Sequence, residues 1–243
     1  MRIDILTLFP EMFEGILNSS IIKRAIEKEK VTINIYDFRD YSTNKHKKVD
    51  DYSYGGGAGM IISVEPIVNC LRDIPNYSQA YKIITSPHGT PYNQTKANEL
   101  SQKEHLIIIC GHYEGIDYRI TNYIDEEISL GDFILTGGEI ASLAILDSVV
   151  RLLPGVLGNQ DSIHDESFSQ GLLEYPQYTR PEEFDGYKVP EVLLSGNHEL
   201  IQKWRRFKSL ELTYHKRPDL LTKVNLTKED MEFLEKIKKG QSL

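Results

Sequence analysis

Glycine stands in this chain where bare backbone would be most useful. The apolar, strand-like run Leu130-Gly131-Asp132-Phe133-Ile134-Leu135-Thr136 stops at Gly137-Gly138 and passes directly into a helical pattern at Glu139. Two other strand-like runs end alike: Tyr81–Ile84 leads into Ser86-Pro87-His88-Gly89, and His105–Cys110 leads into Gly111-His112-Tyr113-Glu114-Gly115. Residues without a Cβ let a ligand reach main-chain N–H and C=O groups, and open α/β sheets bind ligands in the crevice beyond the C-terminal strand ends. One such loop reads as well as an ordinary turn; three together point to the wall of one ligand site. Two further groups have chemical potential. The pair Asp165-Glu166, taken alone in its polar stretch, reads as solvated charge. From Asn197 to Arg217, Lys203, Arg205, Arg206, Lys208, Lys216 and Arg217 outnumber Glu199 and Glu211, with His198, Trp204 and His215 interleaved. That composition suits a patch that docks nucleic-acid phosphates.

The elements that must position these groups alternate in type. A β-rich run over Ile3–Phe9, a helical pattern over Glu11–Lys30 and an alternating run over Val31–Phe38 read as βαβ. The polar segment from Arg39 to Met60, ending near Gly55-Gly56-Gly57-Ala58-Gly59, reads as a mobile binding loop or a plain surface excursion, and a helix follows from Ser63. Tyr81–Ser86, Asn93–Lys103 and His105–Cys110 form a second βαβ unit with parallel strands. The helix expected over Glu139–Leu153 is apolar around most of its circumference, so it must be buried against more than one surface; a homodimer contact is one way to do so. The fold class is therefore α/β. The expected divisions are a domain over 1–158, a polar linker over 159–170 carrying Asp165 and Glu166, and a helical domain over 171–243 whose helices are capped by Asn197 and Thr227.

Composition narrows the class. A chain of 243 residues with 40% apolar and 26% charged residues is globular, and no run reaches the roughly 18 apolar residues of a membrane span. Met1-Arg2-Ile3-Asp4 enters a strand in place of a signal peptide, so a cytoplasmic location is expected. Cys70 and Cys110 lack CxxC or His-rich spacing, so neither a disulfide framework nor a zinc site is expected. A net charge of −8 argues against a protein that coats nucleic acid indiscriminately.

Motifs across nearly the whole chain carry a resemblance. They are Asp4-Ile5-Leu6-Thr7-Leu8-Phe9-Pro10, Val49-Asp50-Asp51-Tyr52 through Gly55-Gly56-Gly57-Ala58-Gly59-Met60, Cys110-Gly111-His112-Tyr113-Glu114-Gly115-Ile116-Asp117 and Gly131–Glu139. Downstream stand Arg151-Leu152-Leu153-Pro154-Gly155-Val156-Leu157-Gly158, Tyr178-Thr179-Arg180-Pro181 and Leu194-Ser195-Gly196-Asn197-His198. In this order they resemble the bacterial tRNA (guanine-N1)-methyltransferases of the SPOUT class, which methylate the guanosine 3′ to the anticodon, position 37.

That resemblance implies a parallel-sheet SPOUT domain ending in a trefoil knot, a small helical C-terminal domain, a homodimer with a shared active site, and S-adenosyl-L-methionine as cofactor. Chain-threading is nearly absent from known folds, so periodicity alone argues against a knot. The cofactor-binding positions implied are Ser86, Pro87, Gly89, Gly111, Tyr113, Glu114, Leu130, Gly131, Asp132, Phe133, Ile134, Leu135, Gly137 and Gly138. Ala141 stands where the family often has proline. Arg151 matches a functional arginine. Glu166 stands where the family reads a catalytic Asp before Ser-Phe, and Asp165 lies one place earlier; either is a candidate base. Arg180, Ser195, Asn197, His198, Trp204, Arg205 and Arg206 are expected on tRNA. The resemblance also suggests Mg²⁺ as a further cofactor, with no site assigned and its requirement left open. Two other readings remain: a nucleotide-binding oxidoreductase, for which neither G-x-G-x-x-G nor G-x-x-x-x-G-K-[ST] is present, and a non-catalytic RNA-binding module, which would not bind the cofactor.

Overall fold

The apolar runs near the N-terminus become the centre of a parallel sheet in the computed structural model, which describes residues 1–158 and 166–242. The chain divides into two compact units, Met1–Gly158 and Asn159–Leu243. In the first, β1 (Arg2–Thr7) is followed by a 3₁₀ turn, α1 (Glu14–Leu17), α2 (Ser20–Glu27) and β2 (Thr32–Asp37). Then come β3 (Asp50–Asp51), β4 (Ile61–Ile62), α3 (Val64–Asp73), β5 (Tyr81–Pro91), α4 (Gln94–Ser101), β6 (His105–Ile109), β7 (Glu126–Ser129) and α5 (Glu139–Val150). Five strands pair in the order β2-β1-β6-β5-β7, every pairing parallel.

Strands buried on both faces read as continuous apolar runs, and β1 and β6 do so. Ile3, Ile5, Leu106 and Ile108 turn to one core with Ile145, Leu146 and Val149 of α5. Leu6, Ile107 and Ile109 turn to the other with Ile67 and Leu71 of α3. Asp4 interrupts β1 yet is fully buried, its carboxylate accepting from Arg2 Nε at 3.1 Å and Asn34 Nδ2 at 2.6 Å, with His105 Nε2 at 2.7 Å. Those partners remove the cost of burying an unpaired charge.

Three expectations change. The run Leu130–Leu135 is not a strand: β7 ends at Ser129, Gly131 takes φ +157°, and Phe133 and Ile134 are 55% and 82% exposed. Its apolar side chains line a surface instead of a core, which is why they read as a strand in sequence. The helix expected over Glu11–Lys30 breaks between α1 and α2, where Asn18 bonds back to the Glu14 carbonyl at 2.8 Å and Ser20 has φ +50°; short polar side chains offer such local alternatives to helix continuation. The segment 39–60 is not wholly irregular either, because β3 pairs antiparallel with β4.

In the second unit an antiparallel hairpin, β8 (Glu183–Phe184) with β9 (Tyr187–Lys188), precedes α6 (Glu191–Leu194), α7 (His198–Lys216), α8 (Pro218–Leu221) and α9 (Lys228–Lys238). The Asn197 side chain caps α7, accepting from Leu200 N at 3.2 Å, and Thr227 with Asp230 forms a capping box on α9. α7 runs past Lys208 to Lys216 because Leu210 and Thr213 continue its buried face. Its core joins Leu172, Phe207, Leu210, Phe233, Leu234 and Ile237.

One ion pair ties α7 to α9. Arg206 donates Nε and Nη2 to the two oxygens of Asp230 at 2.7 and 2.8 Å, and the Asp230 side chain is only 2% exposed. Burial pushes the Asp230 carboxyl up, but hydrogen bonds from Arg206 and Thr227 outweigh it and hold the group below its usual range. A carboxylate with a lowered folded pKa gives stability that is full above its unfolded pKa and is lost as pH falls through the folded value. We therefore expect Asp230→Asn to lower the unfolding free energy by about 3 kcal/mol near neutral pH, and by progressively less below about pH 4, in urea titrations across pH. An equal loss at every pH would contradict this account.

Candidate active site

The three glycine loops converge. A cleft of about 300 Å³ lies beyond the C-terminal ends of β6 and β7 and beside the irregularity within β5 between Thr85 and Thr90, where the segment expected as a loop continues the strand. It is lined by Ser86, Pro87, Gly111, Tyr113, Glu114, Leu130, Gly131, Phe133, Ile134, Leu135, Gly137 and Gly138. Gly89 and Asp132 do not line it. A Cβ at Gly89 would collide with the Ile128 backbone, so that glycine serves the close approach of β5 to β7. Thr85, His112, Gly115, Ile128, Ser129, Thr136 and Ala141 also line the cleft. Several of these sit beside motif glycines, and that adjacency was the available signal.

The loops hold one another. Gly138 N donates to Gly111 O at 2.7 Å, and His112 and Gly137 form an antiparallel bridge. A Cβ at Gly138 would collide with Thr85 Oγ1 and stand 2.9 Å from Gly111 N, so this glycine is required by loop-on-loop packing as well as by ligand access. Tyr113 adopts φ +59°, a conformation that costs a non-glycine residue energy and clusters at ligand sites. Beneath the cleft, Glu139 is 1% exposed; it accepts from Thr7 Oγ1 at 2.8 Å and lies 3.9 Å from His112 Nε2. The His112 ring packs on Phe9 at 4.7 Å. Glu139 opens α5, where a helix N-terminus favours negative charge. Burial pushes the Cys110 thiol up, which leaves no reactive thiolate here.

The glycine-rich segment reaches the same place. Ile62 N donates to Gly115 O and Asp117 N to Ile62 O, each at 2.9 Å, and Glu114 N donates to Met60 O at 3.2 Å. A Cβ on Gly59 would collide with the Glu114 side chain.

The remaining candidates lie elsewhere. Arg151 is the half-buried C-cap of α5. At about 1.5 Å of rise per residue it stands roughly 15 Å along the helix from cleft-lining Ala141. Asp165 lies outside the described residues. Glu166 belongs to the second unit, where it lines a cleft of about 190 Å³ with Leu172, Leu173, Tyr175, Gln202 and Arg205. Hydrogen bonds strap this segment down: Glu174 N donates to Ser167 Oγ at 2.9 Å, Leu173 N to Thr213 Oγ1 at 3.0 Å and Ser209 Oγ to Leu173 O at 2.6 Å.

The basic patch is smaller than its composition. Lys203 pairs with Glu199, Lys208 with Glu211, Arg217 with Asp219 and Arg206 with Asp230. Trp204 is buried and packs 6.3 Å from the Tyr178 ring, so it supports the surface and does not offer a stacking face. Arg180 and His198 are exposed, and Ser195 and Asn197 spend their side chains on the turn and cap before α7. Among the described residues, no group of three or more His, Cys, Asp or Glu could hold a metal ion, and no helix is long and apolar enough to cross a membrane.

Comparison with known proteins finds relatives along nearly the whole length. Residues 1–223 match the family model described as tRNA (Guanine-1)-methyltransferase TrmD. A tRNA (guanine-N(1)-)-methyltransferase of Staphylococcus haemolyticus is 55% identical over 240 residues, covering 98% of each chain. Enzymes of the same name from Staphylococcus aureus (strain N315), over 99% of this chain and 98% of the relative, and from Dictyoglomus turgidum, over 98% and 97%, are also 55% identical.

The loop packing separates two roles for glycine. Gly138→Ala should lower the unfolding temperature by several degrees, because its methyl group meets backbone as well as Thr85. Gly111→Ala meets only Ile116 side-chain atoms at 3.6 and 3.7 Å and should melt with the parent. Equal melting temperatures in differential scanning calorimetry would show that the Gly138 contact is not needed.

Proposed function

We propose a mechanism from one premise: the chain belongs to the tRNA (guanine-1)-methyltransferase family, and it methylates N1 of guanosine in tRNA with S-adenosylmethionine as methyl donor. The target we propose is the guanosine 3′ to the anticodon, position 37. The observation that carries the reading is the meeting of the two glycine loops after β6 and β7 with the irregular stretch of β5, with Thr85 Oγ1 buried in their midst and lacking a hydrogen-bond partner among the described residues. A polar ligand with exposed heteroatoms fits such a cradle, and S-adenosylmethionine is held there by Ser86, Pro87, Gly111, Tyr113, Glu114, Leu130, Gly131, Phe133, Ile134, Leu135, Gly137 and Gly138. The loop crossing of a trefoil knot is the topology we assign to the segment around Gly111 and Gly138.

When bound, S-adenosylmethionine supplies a methyl group already activated by its sulfonium, so the chain must prepare the acceptor. Guanine N1 carries a proton and has no free lone pair; removing the proton makes it nucleophilic and leaves charge on O6. Glu166 takes that proton as general base, with Asp165 the alternative, and Arg151 stabilises the developing charge at O6. The roughly 15 Å of helix between Ala141 and Arg151 supports a homodimer in which the arginine serves a partner's reaction. α5 supports the same reading, because Ile140 stays 48% exposed on a helix that is otherwise largely apolar. Arg180, Ser195, His198 and Arg205 belong to the tRNA-binding face, with Asn197, Trp204 and Arg206 shaping it from within. No role is assigned to Mg²⁺, for which no holding group is found among the described residues, and the enzyme works in the cytoplasm, where its substrate is.

The roles of the two carboxylates separate in single-turnover methyl transfer. Glu166→Gln should lose on the order of a hundredfold in rate at neutral pH with S-adenosylmethionine affinity unchanged, and Asp165→Asn should lose little. A large loss confined to Asp165→Asn would move the base by one residue. Rates near the parent's for both would remove the carboxylate base from this segment.

A further inference from the structure

The cleft of the second unit contains a cation whose hydrogen-bonding capacity is not used up. Arg205 stacks its guanidinium 4.8 Å from the Tyr175 ring centroid, and its Nε is buried with no hydrogen-bond partner among the described residues. Leaving a buried donor unmet costs about 1–3 kcal/mol. The neighbouring Arg206 meets the same need through a side-on pair with Asp230, using Nε and Nη2 together. Arg205 lines the cleft together with Glu166, Glu174, Gln202 and the already paired Arg206, with Leu172 and Leu173 as apolar walls.

We propose that Arg205 reads the N7 and O6 edge of the guanine to be methylated. Resting on the assignment of Glu166 as base, the inference adds the residue that distinguishes guanine from other bases. Charge decides which ligand fits. A phosphate beside Glu166 would be repelled by the carboxylate. Guanine instead offers donors at N1–H and N2–H to a carboxylate, and acceptors at O6 and N7 to a guanidinium fork. O6 has two lone pairs, so Arg205 and Arg151 need not compete for it. Tyr175 holds the fork in a plane, which suits coplanar bidentate contact with a base edge. The bound guanine accepts both N–H groups of the fork, the unsatisfied Nε–H among them, whereas adenine can accept only at N7 and sets an amino donor against the second N–H.

The test removes N7 and the arginine separately and together. Single-turnover rates are measured at subsaturating tRNA carrying guanosine or 7-deazaguanosine at the target, with the full-length protein, Arg205→Ala and Arg205→Lys. The parent should slow about tenfold or more on the 7-deaza substrate. Arg205→Ala should be slow on guanosine and lose no further rate on 7-deazaguanosine, while Arg205→Lys, which keeps donors without the rigid fork, should keep part of both the rate and the 7-deaza effect. If the two effects multiply, Arg205 does not read N7 and the proposal is overturned. It is equally overturned if Arg205→Ala only lowers the salt slope of tRNA binding by about one unit, the mark of a phosphate contact. Unchanged unfolding temperature and S-adenosylmethionine affinity show that the variants are folded; should the alanine variant not fold, Arg205→Met, which keeps the apolar stem without a donor, takes its place. Glu166→Gln separates the two claims: it should lower the rate while keeping the 7-deaza effect. A normal rate there removes Glu166 as base, and the 7-deaza comparison still decides the role of Arg205.

Discussion

The first unit depends on one close backbone contact, the 2.7 Å hydrogen bond from Gly138 N to Gly111 O. It joins the loop after β6 to the loop before α5, and it forms only because Gly138 carries no Cβ to hold the chains apart. The cleft at the strand ends is built around it. The bridge between His112 and Gly137 lies alongside, Glu139 is drawn under the loops to meet Thr7 and His112, and α5 starts in a fixed direction. The strained φ of Tyr113 is sustained by the same contacts, as strain at ligand sites must be.

Main-chain hydrogen bonds hold the loops that line the cleft. Such a surface discriminates by shape and hydrogen-bond geometry, and it leaves proton transfer to groups elsewhere in the sequence. This division fits methyl transfer from a sulfonium, where the donor needs position and the acceptor needs deprotonation. The glycine-rich segment serves the same end, since Gly59 lets β4 lie close enough to hold the Glu114 loop from its other side.

In the second unit two adjacent arginines do different work, and burial separates them. Both line the cleft that contains Glu166, but Arg206 is spent on Asp230, binding α7 to α9, whereas Arg205 Nε is buried without a partner among the described residues. Leu173 connects the two regions through its main chain, which bonds to Ser209 and Thr213 of α7. Reading the basic residues along 197–217 by composition treats all of them as surface charge. The ion pairs with Glu199, Glu211, Asp219 and Asp230 show why that overstates the free positive field.

The sequence by itself determined the alternation of strands and helices, the parallel core strands and the caps at Asn197 and Thr227, because those depend on local periodicity and on side chains bonding within a few residues. It also marked the three glycine loops, since a missing Cβ is legible wherever it falls, and its motifs were enough to identify the family. Tertiary structure alone decided that Leu130–Leu135 lines a surface, because a strand and an apolar ligand wall have the same composition and differ only in what lies opposite. It alone decided that Gly89 serves strand packing while Gly138 serves loop packing, and which arginine of an adjacent pair is already bonded. Those outcomes turn on contacts between residues far apart in the chain, such as Gly111 with Gly138 and Arg206 with Asp230, and nothing within either segment specifies its partner.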